Sequence, residues 1–315
     1  MPVSAPASIP PSLPRRRLLG AATLASLAAP FTALAAPRPP ENGWEPVMLP
    51  QASQRDLASA ITGQTYRIFV SVPAAPAPPA GYPVLFALDG NASFPTLALM
   101  ARTAGRRSGA TGHVPPVVVG IGYPGERDYH NARGRDYTPP AGLATDASTT
   151  GGADLFLDFI ERELKPLVAT LAPLDPARQA LYGHSFGGLC TLHALFTRPA
   201  MFQTYLAASP SIWYGDRVVL SALAAFEKRV AALPTRPHLM LAAGELEQPQ
   251  ATGAPLQGRQ AIAAERRMID AARELAARLD KGKLLSRVEF HLLANENHGS
   301  ATFPAMARGL EFFLG

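Results

Sequence analysis

Five consecutive residues carry the sharpest chemical signal in the chain: Gly183-His184-Ser185-Phe186-Gly187. A serine is a useful nucleophile only when a base lies within hydrogen-bond reach and an acid orients that base. A Gly-x-Ser-x-Gly run builds the first part of this geometry. It forms a sharp strand-to-helix turn that lifts the serine above a sheet, and its glycines relieve the crowding on either side. At the start of the following helix the Phe186 backbone N–H is a candidate oxyanion donor. In this arrangement the acid and then the histidine follow the serine along the chain. Residues 239–244 read as a strand and turn, with Glu245-Leu246-Glu247 just beyond. We favour Glu247 over Glu245 as the acid, because three residues past Gly244 let the chain turn before the carboxylate is presented. Residues 290–293 read as the next strand, and Asn295-Glu296-Asn297-His298-Gly299 as its loop. His298 is therefore the candidate base. His291 alternates with apolar strand residues and reads as structural. His184 flanks the serine and cannot easily turn back onto it, and His193 rides the helix after the turn. A second oxyanion donor belongs on the loop after an early strand. Asp89-Gly90-Asn91-Ala92 offers the Asn91 backbone N–H there, with the Asn91 side-chain amide as a further candidate.

These residues need a scaffold. Residues 65–72 alternate polar and apolar side chains and read as a strand. Residues 82–88 and 117–121 are short apolar runs bounded by Gly and Pro, as expected of strands buried on both faces of a parallel sheet. Further strands are expected at 179–182, 204–208, 238–242 and 287–293. Helices are expected at 153–171, 187–196 and 216–233, over a long amphipathic stretch at 259–281, and at 301–314. Strands alternating with helices imply an α/β fold with a mainly parallel central sheet flanked by helices. Residues 123–152, rich in Gly, Pro, Arg and Thr, read as the least structured stretch, and a loop that long is usually functional.

Composition bounds the function. The chain has 315 residues, 47% hydrophobic and 17% charged, enough for one sizeable core. Its single cysteine, Cys190, excludes an intramolecular disulfide framework and any multi-cysteine metal site. Arg15-Arg16-Arg17-Leu18-Leu19, an apolar run to Leu34 and Ala33-Leu34-Ala35 have the order of an export signal. The arginines followed by two leucines match a twin-arginine leader, so residues 1–35 are expected to be removed on export, to the periplasm or for secretion. The run is too short to span a bilayer, so no stable membrane insertion is expected after cleavage. Residues 36–54 read as an extended arm and 55–315 as the catalytic domain. Without the leader, 26 basic residues face 24 acidic ones, which with no basic stripe argues against a nucleic-acid partner.

Beyond the serine turn, the chain resembles a known family at Leu181 to Gly188, Phe196-Thr197-Arg198-Pro199, Phe202 and Ala208-Ser209-Pro210-Ser211-Ile212-Trp213. Leu88 to Ala92, Arg135-Asp136-Tyr137-Thr138-Pro139 and Gly244 to Glu247 fit the same pattern. It resembles the esterase D-type branch of the α/β hydrolases, and within it the periplasmic ferric-siderophore esterases that open trilactones such as enterobactin and salmochelin. The resemblance implies an α/β-hydrolase fold, a Ser–His site with a variable acid, and no cofactor or metal for the chemistry itself. Iron arrives with the substrate. Anionic catecholates suit arginine, which nominates Arg133 and Arg135 as substrate-binding residues, with Trp213 and Tyr214 to stack on aromatic rings. Two other readings stay open. One is a feruloyl or acetyl esterase, or an acyltransferase of the same superfamily. The other is a non-catalytic exported siderophore-binding protein.

Overall fold

The computed structural model describes residues 43–141, 149–249 and 256–315. The export leader expected at 1–35, and the arm as far as residue 42, lie outside the described residues. From residue 49 onward the chain forms one compact unit around an eight-stranded sheet. In chain order its strands are β1 (Ala52–Ala58), β2 (Thr65–Ser71), β3 (Tyr82–Leu88), β4 (Val117–Gly122), β5 (Leu174–His184), β6 (Thr204–Ala208), β7 (His238–Gly244) and β8 (Arg287–Leu293). Their spatial order is β1-β2-β4-β3-β5-β6-β7-β8, antiparallel at the β1, β2 and β4 pairings and parallel from β4 to β8. This is the α/β fold expected from the alternation of apolar runs and amphipathic segments.

Every residue of β3, β4 and β6 is buried, because helices cover both faces of the sheet. On one face Phe156, Leu192, Phe226, Leu275 and Leu279 pack with Val84, Val119 and Leu181. On the other, Phe94 and Leu97 of the Gly90–Arg106 helix and Met306 and Phe313 of the Thr302–Leu314 helix pack with Leu85, Val118 and Leu206. Among the described residues, no helix is long and apolar enough to cross a membrane.

Several boundaries differ from the sequence reading. β1 begins inside the expected arm. Its Ser53-Gln54-Arg55-Asp56 core is polar and exposed, so it carries no apolar alternation, and backbone pairing with β2 holds it at the sheet edge. The stretch 216–233 is not one helix. Gly215, Asp216 and Arg217 take left-handed conformations at φ 56°, 53° and 63°, a 3₁₀ turn follows, and the helix proper is Leu223–Ala231. The long helix at 259–281 is two, Arg259–Arg266 and Met268–Lys281, broken at Arg267 with φ 49°. The stripe that packs on the sheet starts at Met268, and nothing before it is buried, so the chain turns there. Within 123–152, residues 142–148 are outside the described set, and a short helix, Arg133–Tyr137, is anchored by buried Asp136 and Tyr137.

The parallel register aligns the strand ends that matter. His184 pairs with Ala208, Ala208 with Ala242, and Gly244 with Leu293. The residues just past β5, β6, β7 and β8 therefore meet along one edge of the sheet, where ligands bind in open α/β folds.

Candidate active site

Ser185 follows the last residue of β5 and caps the Phe186–Thr197 helix with φ 61° and ψ −117°. A non-glycine residue in this region is strained, and the strain persists only where its surroundings enforce it. Here they do. The Ser185 N–H donates to Ala208 O at 3.0 Å, and its carbonyl accepts from the Ser211 N–H at 3.1 Å. A Cβ on Gly183 would lie 2.2 Å from Gly187 O, so the flanking glycine is a steric necessity.

The His298 ring lies between Ser185 and Glu247. Its Nε2 is 3.0 Å from Ser185 Oγ and its Nδ1 is 2.7 Å from Glu247 Oε2. With a carboxylate at Nδ1, the proton belongs on Nδ1, and Nε2 is free to accept from the serine. Glu247 Oε1 in turn accepts from Ser209 Oγ at 2.5 Å and from the Gly244 N–H at 2.6 Å. Burial pushes the Glu247 carboxyl up, but the hydrogen bonds from His298 and Ser209, and the attraction of His298 once protonated, outweigh it, and the net shift is downward. Glu247 thus stays a carboxylate. Glu245 does a different job: its Oε2 accepts the Asn295 N–H at 2.9 Å and ties down the loop that carries His298. The His184 ring lies beside that of His298, tilted by 41° with centroids 4.7 Å apart. Burial first, and then the His298 charge, push its pKa down to about 4.

Other expected site residues are placed differently. The Asn91 side chain is not free to donate to an oxyanion, because its Nδ2 donates to Tyr123 O and its Oδ1 accepts from the Tyr123 N–H, at 3.1 and 2.9 Å. Its backbone N–H lies in the first turn of the Gly90–Arg106 helix, where amides have no intrahelical acceptor, and that of Phe186 lies in the first turn of its own helix. Arg133 lines the cavity, yet its guanidinium forms a bidentate pair with buried Asp89 at 2.7 and 2.9 Å. Burial pushes the Asp89 carboxyl up against the pull of that guanidinium. Arg135 is turned away, bound to Asp136, which also accepts from Tyr66 and Tyr123. Tyr214 is buried edge-on behind Phe186, at 5.8 Å between centroids, and does not line the cavity. Trp213 does line it.

That cavity, of about 770 Å³, opens over Ser185 and His298. Its far wall is the Arg259–Arg266 helix, which presents Arg259, Ile262 and Arg266. The Arg266 guanidinium stacks 4.2 Å above the Trp213 ring. Sequence reasoning missed these wall residues because the stretch read as one amphipathic helix. It also missed the role of Ser209, which reveals itself only once β6 lies beside β7.

A strained serine hydrogen-bonded to a histidine, itself held by a buried carboxylate, is equipped for acyl transfer. The family profile described as "Putative esterase" matches residues 59–290. The chain belongs to this esterase family. The esterase is 37% identical over 278 residues to the ferri-bacillibactin esterase of Bacillus subtilis, covering 84% of this chain and 90% of that one. It is 39% identical over 243 residues to the siderophore triacetylfusarinine C esterase of Aspergillus fumigatus, covering 74% and 81%. Its structure is similar to that of the BES protein from Bacillus cereus, with a TM-score of 0.76 and 32% identity over 86% of this chain and 98% of the other. The esterase has the α/β-hydrolase fold and is a serine carboxylic-ester hydrolase by family.

Proposed function

We propose that this esterase opens the ester bonds of a catecholate trilactone siderophore, or of its ferric complex, with Ser185 as nucleophile. The observation that carries the reading is the hydrogen-bonded run from Ser185 through His298 to Glu247, opening into a cavity large enough for a branched substrate. Ser185 Oγ attacks the ester carbonyl and its proton passes to His298 Nε2. Glu247 Oε2 holds the Nδ1–H and stabilises the imidazolium. The Phe186 and Asn91 backbone N–H groups hold the oxyanion. The alcohol leaves with the proton from Nε2, and a water activated by the same nitrogen releases the acid. The names of the relatives support the substrate class, as do the Arg259 and Arg266 guanidinium groups and the Trp213 indole on the cavity wall. The leader motif at Arg15-Arg16-Arg17-Leu18-Leu19 supports twin-arginine export and a periplasmic site of action, with a mature chain beginning near Ala36.

The test compares wild type with Ser185→Ala on p-nitrophenyl acetate and on ferric enterobactin. Cleavage of both by wild type and of neither by the variant is the expected result. Cleavage of the simple ester alone would keep the mechanism and remove the siderophore. No cleavage of either, with no labelling of Ser185 by a fluorophosphonate probe, would turn the reading to a non-catalytic binding protein.

A further inference from the structure

The Arg259–Arg266 helix has eight residues and buries none of them. Its Arg259, Ile262, Ala263 and Arg266 stand at i, i+3, i+4 and i+7, one face of a helix. Such a stripe normally packs on a core, as the Met268–Lys281 helix does through Met268, Ile269, Ala272 and Leu275. Here all four residues line the cavity above Ser185 instead. The face has an apolar centre and a guanidinium at each end. Seven residues of helix separate these ends by about 10 Å.

Both guanidinium groups are available to a ligand. Among the described residues neither Arg259 nor Arg266 forms a salt bridge. Three carboxylates lie near: Glu247 is taken up by His298, Ser209 and Gly244, while Asp216 and Glu265 line a neighbouring cavity of about 460 Å³ beside Arg217 and share it with Trp213 and Arg266. Stacking on Trp213 fixes the plane of the Arg266 guanidinium and leaves its edge N–H groups to donate.

We propose that the Arg259–Arg266 helix is the specificity-determining wall of this esterase, taking a flat aryl group with anionic oxygens against Ile262 and Ala263, between the two arginines. The proposal rests on the esterase reading and not on the siderophore. It predicts a preference for esters whose acyl or neighbouring arm is an anionic arene.

The test uses p-nitrophenyl 4-carboxybenzoate and p-nitrophenyl benzoate, which share a ring and a leaving group and differ in one charge. The readout is the ratio of their kcat/KM values. Wild type should favour the carboxylate ester. Arg259→Gln and Arg266→Gln should each lower the ratio about fivefold, and the double variant should abolish the preference, as expected for partly solvated charge pairing. Arg266→Lys should keep part of it. A ratio unchanged in the double variant, whether or not both rates fall, overturns the proposal. If wild type leaves ferric enterobactin intact while the ratio responds as stated, the siderophore reading fails and this one stands. If enterobactin is cleaved equally by wild type and the double variant with the ratio unchanged, the reverse holds.

Discussion

Ser209 and Glu247 are joined by a 2.5 Å hydrogen bond, and the segment that carries Ser209 also holds Ser185 at both its N–H and its carbonyl. One short turn after β6 therefore grips the two ends of the Ser185–His298–Glu247 run. Ser209 is fully buried, at φ 41°. Ser209→Ala removes one donor from the carboxylate and leaves the substrate cavity unaltered. We expect kcat to fall about tenfold with KM nearly constant, the size of one hydrogen bond to a charged group. Steady-state kinetics on p-nitrophenyl acetate decides it, and a rise in KM alone would refute the positioning role.

Glu247→Gln keeps the shape of the site and removes the charge that fixes the His298 proton on Nδ1. The loss should be roughly 10²- to 10⁴-fold in kcat, as for the wrong tautomer in other Ser-His-acid sites. Glu245→Gln only loosens the Asn295 contact and should cost less than about fivefold. Equal losses in the two variants would make the assignment of the acid to Glu247 untenable.

His184 gives the fold a pH dependence of its own. Its folded pKa lies near 4, below the ordinary 6.5, so the unfolded chain takes up this proton first on acidification. The stability it allows is complete above pH 6.5 and is lost as pH falls toward 4. The full effect is on the order of 3 kcal/mol. Urea unfolding between pH 7 and pH 4 should therefore show a shallower decline for His184→Gln than for wild type. Parallel declines would mean that the ring is solvated.

Arg133 and Asp89 form a buried bidentate pair that links the Arg133–Tyr137 helix to the turn carrying Asn91. Arg133→Met strands a carboxylate in the interior and should destabilise the fold by about 3–5 kcal/mol. Asp89→Asn added to Arg133→Met should recover a large part of that loss. A double-mutant cycle by urea denaturation measures the coupling, and additive effects would show the pair to be unimportant.

Ser185, His298 and Glu247 were legible because the elements that place them have strong local signals. Each follows an apolar strand that ends in a glycine or polar turn, and the parallel register then brings them within hydrogen-bond distance. The same pattern gave the central strands. Ser209 was not legible as a partner, since a serine before proline looks like any turn until β6 and β7 are neighbours. Arg133 stood out as a loop arginine, but its partner lies 44 residues away and reads as part of a turn. The corner at Arg267 left no trace in the helical periodicity. The apolar spacing runs through it, and only the absence of a core beneath Arg259–Arg266 makes the chain bend.

That corner has an evolutionary consequence. It divides a stretch with one helical periodicity into a part that carries the fold and a part that carries none of it. Exchanges at Arg259 or Ile262 disturb no core neighbour and one at Arg266 loses only its contact with Trp213, whereas exchanges at Ala272 or Leu275 cut into the core. Drift in the wall is therefore nearly free of any stability threshold. Descendants of this chain can sample new ester substrates by changing the wall while Ser185, His298 and Glu247 stay where they are.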